Sequence, residues 1–330
     1  MALQQNVPRA VEAGLWFDDG NIILVAEDTP FKVHRSMLSQ RSEVLSNILS
    51  VPQPPTPDES DLLDGIPVVH VLWGVTALSD TWKEISHVLA VFYHGYKLFG
   101  DSQPMPFTIV SAFLRLGHKY EIPELWQSAI SRLRICFPEK LSDFRNAKTY
   151  KENPGDDYLH FEPPLIHMRL EEVLGVINLA RAYDLPSLLP SAFYLCSLLS
   201  TGTLIHGGRD GDGNQLLLSK NDITACIDGH ITLMQEETLK ISSMAKAVAR
   251  DCPHLGICDI AELFWRRETG LVKASGATLT HASWLDPYLF DTCRVCKDEL
   301  KKRWNRYRSR TWTELCETFG IDNLPEDWGV

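Results

Sequence analysis

Four cysteines fall within fewer than fifty residues near the end of the chain, at Cys252, Cys258, Cys293 and Cys296. Two of them form the run Cys293-Arg294-Val295-Cys296, and the other two frame Cys252-Pro253-His254-Leu255-Gly256-Ile257-Cys258. A Cys-x-x-Cys pair sets two thiolates on one turn, where both reach the same tetrahedral zinc ion, and a second pair completes a closed four-ligand structural site. His254 could stand in for Cys258. The segment is short and rich in Trp, so a metal crosslink would help it fold. Cysteine is also a small core residue, and buried thiols are the competing reading. Only the 293/296 pair has close ligand spacing, which leaves both readings open. A redox role for that pair lacks the surrounding βαβ pattern it would need. Cys316 stands alone.

Other constellations point to less chemistry. His206-Gly207-Gly208-Arg209-Asp210-Gly211-Asp212-Gly213-Asn214 alternates acidic and amide residues like a calcium loop. However, Gln215 sits where such a loop needs Gly, and Asn221 where it needs Glu, so a solvent loop is expected. No Gly-Lys-Ser/Thr follows the glycines, which excludes a phosphate loop. The run Lys297–Arg310 interleaves Lys301, Lys302, Arg303, Arg306, Arg308 and Arg310 with Trp304 and Tyr307. It reads as the wet face of a helix whose aromatics pack inward. His34, His70, His87, His94 and His118 are scattered and form no ligand or triad spacing, so no catalytic residue is expected. His34, at a strand-to-helix junction, reads as a structural hydrogen-bonding residue.

The whole chain sets the limits for these readings. It has 330 residues with a formal net charge of -11, and that acidity argues against nucleic acid as the main partner. Hydrophobic residues at 44% and charged residues at 23% fit a globular protein of roughly two domains. Eight cysteines over this length are not a disulfide framework. The first residues show no secretory pattern and the chain has no Asn-x-Ser/Thr acceptor, so an intracellular address, cytoplasmic or nuclear, is expected. Leu185–Ile205 carries no charge, but Pro186, Pro190 and Gly202 favour a buried helix starting near Pro190 over a membrane span.

Hydrophobic patterning supplies the elements that would position these residues. Asn21–Ala26 and Phe31–His34 read as two strands joined by the turn-prone Glu27-Asp28-Thr29-Pro30, a hairpin. Met37, Leu38, Val44, Leu45, Ile48 and Leu49 fit a helix face with Ser36 as its N-cap. Val51–Pro67 is a Pro/Asp/Ser-rich loop or insertion, Val68–Trp73 a buried strand, and Trp82–Tyr93 a helix burying Ile85, Val88, Leu89 and Phe92. Residues 114–130 then align without gaps with 177–193, sharing Tyr, an acidic residue, Pro, Leu, Ser and Ala. The repeat reads as helix, tight turn, helix: Pro123 and Pro186 fit the start of a second helix, and Gly117 and Ala180 permit close approach. Lys148–Pro164 and Gly202–Gly213 read as loops, and Asp222–Arg250 as a helix.

The first 140 residues resemble the BTB/POZ family. The likeness rests on Asp19-Gly20-Asn21-Ile22-Ile23-Leu24-Val25, Phe31-Lys32-Val33-His34-Arg35-Ser36-Met37-Leu38, Ser42-Glu43-Val44-Leu45, Phe92-Tyr93-His94-Gly95 and the Leu116–Leu125 hairpin, in that order. Beyond them the chain resembles the BTB proteins of mushroom-forming fungi, through Pro52-Gln53-Pro54, the second Leu-Ala-x-x-Tyr hairpin and the terminal block of Cys and Trp. The resemblance implies an α+β fold. Residues 14–140 would be a BTB domain (a small sheet plus a helical cluster), 141–250 an all-helical BACK-like extension, and 251–330 a Cys/Trp-rich module carrying the candidate structural zinc. It also implies a protein-binding scaffold that forms homodimers or mixed BTB pairs, with Leu15, Trp16, Met37 and Leu38 on the dimer face. Recruitment to a cullin-type ubiquitin ligase follows by analogy. The alternative is a nuclear regulator contacting DNA through the basic C-terminal helix. No enzymatic activity and no membrane partner are expected.

Overall fold

The computed structural model describes residues 7–50, 62–63, 66–70, 80–95, 103–146, 150–151, 160–161, 163–252, 279, 293–324 and 328–329. The chain is α+β, mostly helical with small sheets, and divides into two compact units, Met1–Arg132 and Leu133–Val330. The expected strand around Val68 begins earlier, at Ile66, and ends at His70 among the described residues.

In the first unit, strand β1 (Ile22–Ala26) pairs antiparallel with β2 (Thr29–Val33), with Leu24 opposite Phe31. This is the expected hairpin. A second short hairpin, β3 (Leu62–Leu63) with β4 (Ile66–His70), lies largely in the stretch expected to be a loop. β4 runs parallel to β1, giving the order β2-β1-β4-β3. β1 is therefore central, and all five of its residues are buried. A continuous Ile-Ile-Leu-Val-Ala run, rather than an alternating one, suits a strand covered on both faces. A parallel neighbour also requires a crossover, and two helices lie within it: α1 (Arg35–Arg41) and α2 (Glu43–Ser50).

Those helices were expected as one. They break at Ser42, whose backbone is extended. Its hydroxyl accepts from the Leu45 N–H at 3.0 Å, capping α2, and donates to the Tyr120 carbonyl at 2.5 Å. The N-cap of α1 is His34, not Ser36, which already lies inside the helix. Helix α3 (Trp82–His94) starts at Thr81 with a reciprocal capping box to Glu84 and buries the expected Ile85, Val88, Leu89 and Phe92. Glu84 also pairs with Arg115 of helix α4 (Phe107–Lys119).

The internal repeat forms the same turn twice. α4 ends at Tyr120, Glu121 has φ 50°, and α5 (Pro123–Cys136) follows. In the second unit, α6 (Val173–Ala182) ends at Tyr183, Asp184 has φ 52°, and a 3-10 turn at Pro186–Leu188 leads into α7 (Leu189–Cys196). The hydrogen bonds also correspond. Tyr120 N–H donates to Leu116 O at 2.9 Å and Tyr183 N–H to Leu179 O at 3.0 Å, while Ile122 N–H reaches Gly117 O at 2.8 Å and Leu185 N–H reaches Ala180 O at 2.9 Å. This is a left-handed helix cap that collects the last free carbonyls. It is made with an acidic residue where glycine is usual, at a steric cost of about 1–2 kcal/mol. The small residue expected to allow close approach does so at Gly117, where an added Cβ would lie 2.8 Å from the Trp126 nitrogen.

The second unit is a helical layer tied by aromatics. It contains α8 (Thr201–His206), α9 (Lys220–Arg250), α10 (Arg294–Thr313) and α11 (Leu315–Phe319). Trp312 is fully buried, donates its Nε1–H to Glu139 O at 2.7 Å and stacks on Trp328 at 5.5 Å between ring centres. Trp328 in turn donates to Ser187 O at 3.0 Å, beside the second repeat turn.

The 141–250 segment is not all helix. Tyr150–Lys151 pairs with His160–Phe161, and Gly208–Arg209 with Gln215–Leu216. Leu185–Ile205 falls into the 3-10 turn, α7 and most of α8, and among the described residues no helix is long and apolar enough to cross a membrane.

Gly117→Ala tests the close approach. Alanine normally gains about 1 kcal/mol over glycine in a helix. Here overpacking against backbone should reverse the sign, for a net loss of about 1–2 kcal/mol read as a lower urea midpoint.

Candidate metal centre

Helix α9 ends at Arg250, and the chain turns through Asp251, whose N–H reaches back to Ala247 O at 3.3 Å. Cys252 follows immediately and is buried. Across from it, Cys293 is the N-cap of α10, with an extended backbone (φ -66°, ψ 158°) and its carbonyl accepting from Lys297 N–H at 2.9 Å. Cys296 is the third helical residue and is also buried, whereas Cys293 is half-buried. An N-cap residue and the third residue of a helix face one another, which is why Cys-x-x-Cys at a helix start brings both side chains to one point.

The sulfurs of Cys252, Cys293 and Cys296 lie within 4.8 Å of one another. With metal–sulfur bonds of about 2.3 Å, a tetrahedral site has sulfurs about 3.8 Å apart, so the thiols need draw in by no more than about 1 Å. None of the three is in a disulfide. Ile241 and Val248 of α9, with Leu300, Trp304 and Tyr307 of α10, form the apolar core in which the two buried cysteines sit, and Met244 packs against it. These three cysteines can therefore hold a metal ion. Among the described residues no other group of His, Cys, Asp or Glu has such geometry. Cys258 and His254, the expected fourth ligands, lie outside the described residues.

The dimer-face residues separate. Leu15 and Leu38 are fully buried within the first unit, whereas Trp16 and Met37 are half-buried. Leu15 and Leu38 are spent on the unit's own core, a use that hydrophobicity alone cannot distinguish from a sticky surface.

The basic helix follows the expected wet face except at Arg308. Trp304 and Tyr307 pack inward as expected, and Lys301, Lys302 and Arg306 are exposed. Arg303 and Arg310, however, pair with Glu299 and Glu314, each at 2.7 Å. Arg308 is only 1% exposed and donates to Leu279 O at 2.5 Å. Burial, with Arg145 nearby, pushes its guanidinium down to about 10. The glycine-rich stretch expected as a solvent loop makes a tight hairpin turn built on Asp210, whose carboxylate accepts from the N–H groups of Asp212 and Asn214 at 2.9 and 2.8 Å.

His34 serves the structure as expected. Its ring spans Asp19 at 3.2 Å and the Tyr93 hydroxyl at 3.1 Å, and Tyr93 stacks on Phe17. Sequence reasoning missed two buried groups. Cys196 and Cys226 lie together in the second unit, and their mutual hydrogen bond and burial push the Cys196 thiol up. Asp80 is 2% exposed and accepts from Lys119 and the Tyr120 hydroxyl, both at 2.6 Å. Neither group has a spacing that marks it, because each joins residues distant in sequence.

No protein-family model matches the chain, and no curated protein matches it significantly.

Cobalt(II) titrated into the reduced chain should give thiolate-to-metal charge-transfer absorption at one equivalent. Cys252→Ser, Cys293→Ser and Cys296→Ser should each weaken binding by more than the roughly 10–100-fold that loss of an outer-shell partner costs. Affinity should fall as pH falls, because the thiols must lose protons to bind.

Proposed function

We propose that the chain is an intracellular protein–protein interaction scaffold that self-associates through a BTB-type N-terminal unit and holds partners on its helical second unit. The observation that carries this reading is how the separate motifs of the resemblance meet. Asn21 Oδ1 accepts from Arg35 N–H at 2.9 Å, Tyr93 Oη from His34 N–H at 2.7 Å, and Tyr120 O from the Ser42 hydroxyl at 2.5 Å. The pieces quoted for the BTB likeness thus form one hydrogen-bonded framework over about a hundred residues, which supports reading them as one domain. The reading assigns the chain no reaction. Homodimers or mixed BTB pairs are its expected assemblies, with Trp16 and Met37 as the remaining contributors from the expected face, and a cullin-type ligase is its candidate client. Zinc is the ion proposed for the three-thiol centre, because it favours tetrahedral thiolate sites and needs no redox partner.

Native mass spectrometry of the full chain tests both parts together. A dimer carrying one zinc per chain is expected, and Met37→Glu should weaken dimerisation by about tenfold or more while leaving zinc in place. A chain that stays monomeric at every concentration would overturn self-association. Failure to capture the cullin in a pull-down would remove the ligase role alone.

A further inference from the structure

Buried charges in proteins are normally paired, because an uncompensated one is strongly destabilising. Arg308 of α10 is 1% exposed, and among the described residues no carboxylate pairs with it. Its Nη2 donates to Leu279 O, but Nε and Nη1 are buried without an acceptor among the described residues. Nε carries one hydrogen and Nη1 two, so at least three of the five guanidinium N–H donors are unmet. Burial first, and then a second cation, Arg145, lower its proton affinity, yet at about 10 it stays charged at neutral pH. The surroundings hold this group in place. Leu279 accepts from Arg308 through its carbonyl and donates its N–H to the Tyr194 hydroxyl at 3.0 Å, which ties the guanidinium to α7. Phe144 packs against Tyr194 and against Trp312, one turn beyond Arg308, at 6.0 and 4.9 Å between ring centres. Arg145 follows Phe144 in the short helix Leu141–Asn146 and is exposed, so solvent reaches the cluster from that side. Thr311 lies three residues after Arg308, on the same helix face. It is 2% exposed, and its hydroxyl also has no partner among the described residues.

We propose that Arg308, Arg145 and the Thr311 hydroxyl form a binding site for a small multivalent oxyanion of the inorganic phosphate type. Two neighbouring cations with several unmet donors call for more than one negative charge and for several acceptor oxygens. Phosphate supplies both, whereas a carboxylate carries one charge on two oxygens. The depth of Arg308 favours the free ion over an ester that carries a bulky group. The bound ion would join the Leu141–Asn146 helix to α10 and satisfy donors that the protein itself leaves unmet.

Calorimetric titration of the full chain with inorganic phosphate tests this, against chloride at matched ionic strength so that general screening cancels. One phosphate should bind per chain and raise the melting temperature with concentration, as a ligand specific to the folded state does. Arg145→Gln, at an exposed position, should keep the far-UV circular dichroism unchanged and weaken phosphate binding at least about tenfold. Arg308→Lys keeps a charge but loses the fork of donors, and should weaken binding as much. Where that variant does not fold, Arg145→Gln together with Thr311→Val decides the matter. Absence of binding to the unaltered chain would overturn the site. Undiminished binding in both Arg145→Gln and Thr311→Val would place the ion elsewhere and overturn it equally. Glycerol phosphate binding as tightly as phosphate would overturn the restriction to the free ion.

Discussion

Both units depend on one local constraint: a helix must end within a single residue so that the next can fold back on it. Glu121 and Asp184 meet it by adopting left-handed backbone, with a proline two residues later starting the next helical turn. The turn becomes a hub because its neighbours are polar groups that need partners. In the first unit, Tyr120 offers its carbonyl to Ser42 and its hydroxyl to Asp80, so the break between α1 and α2 and the approach to α3 are fixed from one point. In the second unit, Ser187 offers its carbonyl to Trp328, which stacks on Trp312 of α10. A steric cost of about 1–2 kcal/mol at each turn is tolerable because the surrounding contacts over-determine it.

The second unit is uneven in how it is held. Around Trp312 the packing is aromatic and hydrogen-bonded. Around Cys252, Cys293 and Cys296 it is a small apolar core closed by three thiols. In the first unit the motifs lock into one another through Asn21, His34 and Ser42.

Much of this was legible in local pattern. The hairpin, the helix from Trp82, the repeat with its prolines, and the inward Trp304 and Tyr307 all follow from periodicity and turn chemistry, which act over a few residues. Leu15 and Leu38 were not legible in this sense. Their hydrophobicity suits a dimer face and a core equally, and only the fold shows that they are enclosed. Arg308 sat in a basic run that patterning makes uniformly wet, yet tertiary packing draws that one guanidinium inside.

By itself, then, the amino-acid order determined the first hairpin, the helix from Trp82, the paired turns after Tyr120 and Tyr183, and that Cys293 and Cys296 share one turn. Each of these is settled by backbone sterics and hydrogen bonds between near neighbours. Tertiary structure decided that Cys252 joins that pair from the end of another helix, 41 residues earlier in the sequence. It likewise decided that Asp80 meets Tyr120 and that Cys196 meets Cys226. Such encounters depend on how whole helices pack, and packing is a property of surfaces assembled from distant segments, which no local spacing encodes.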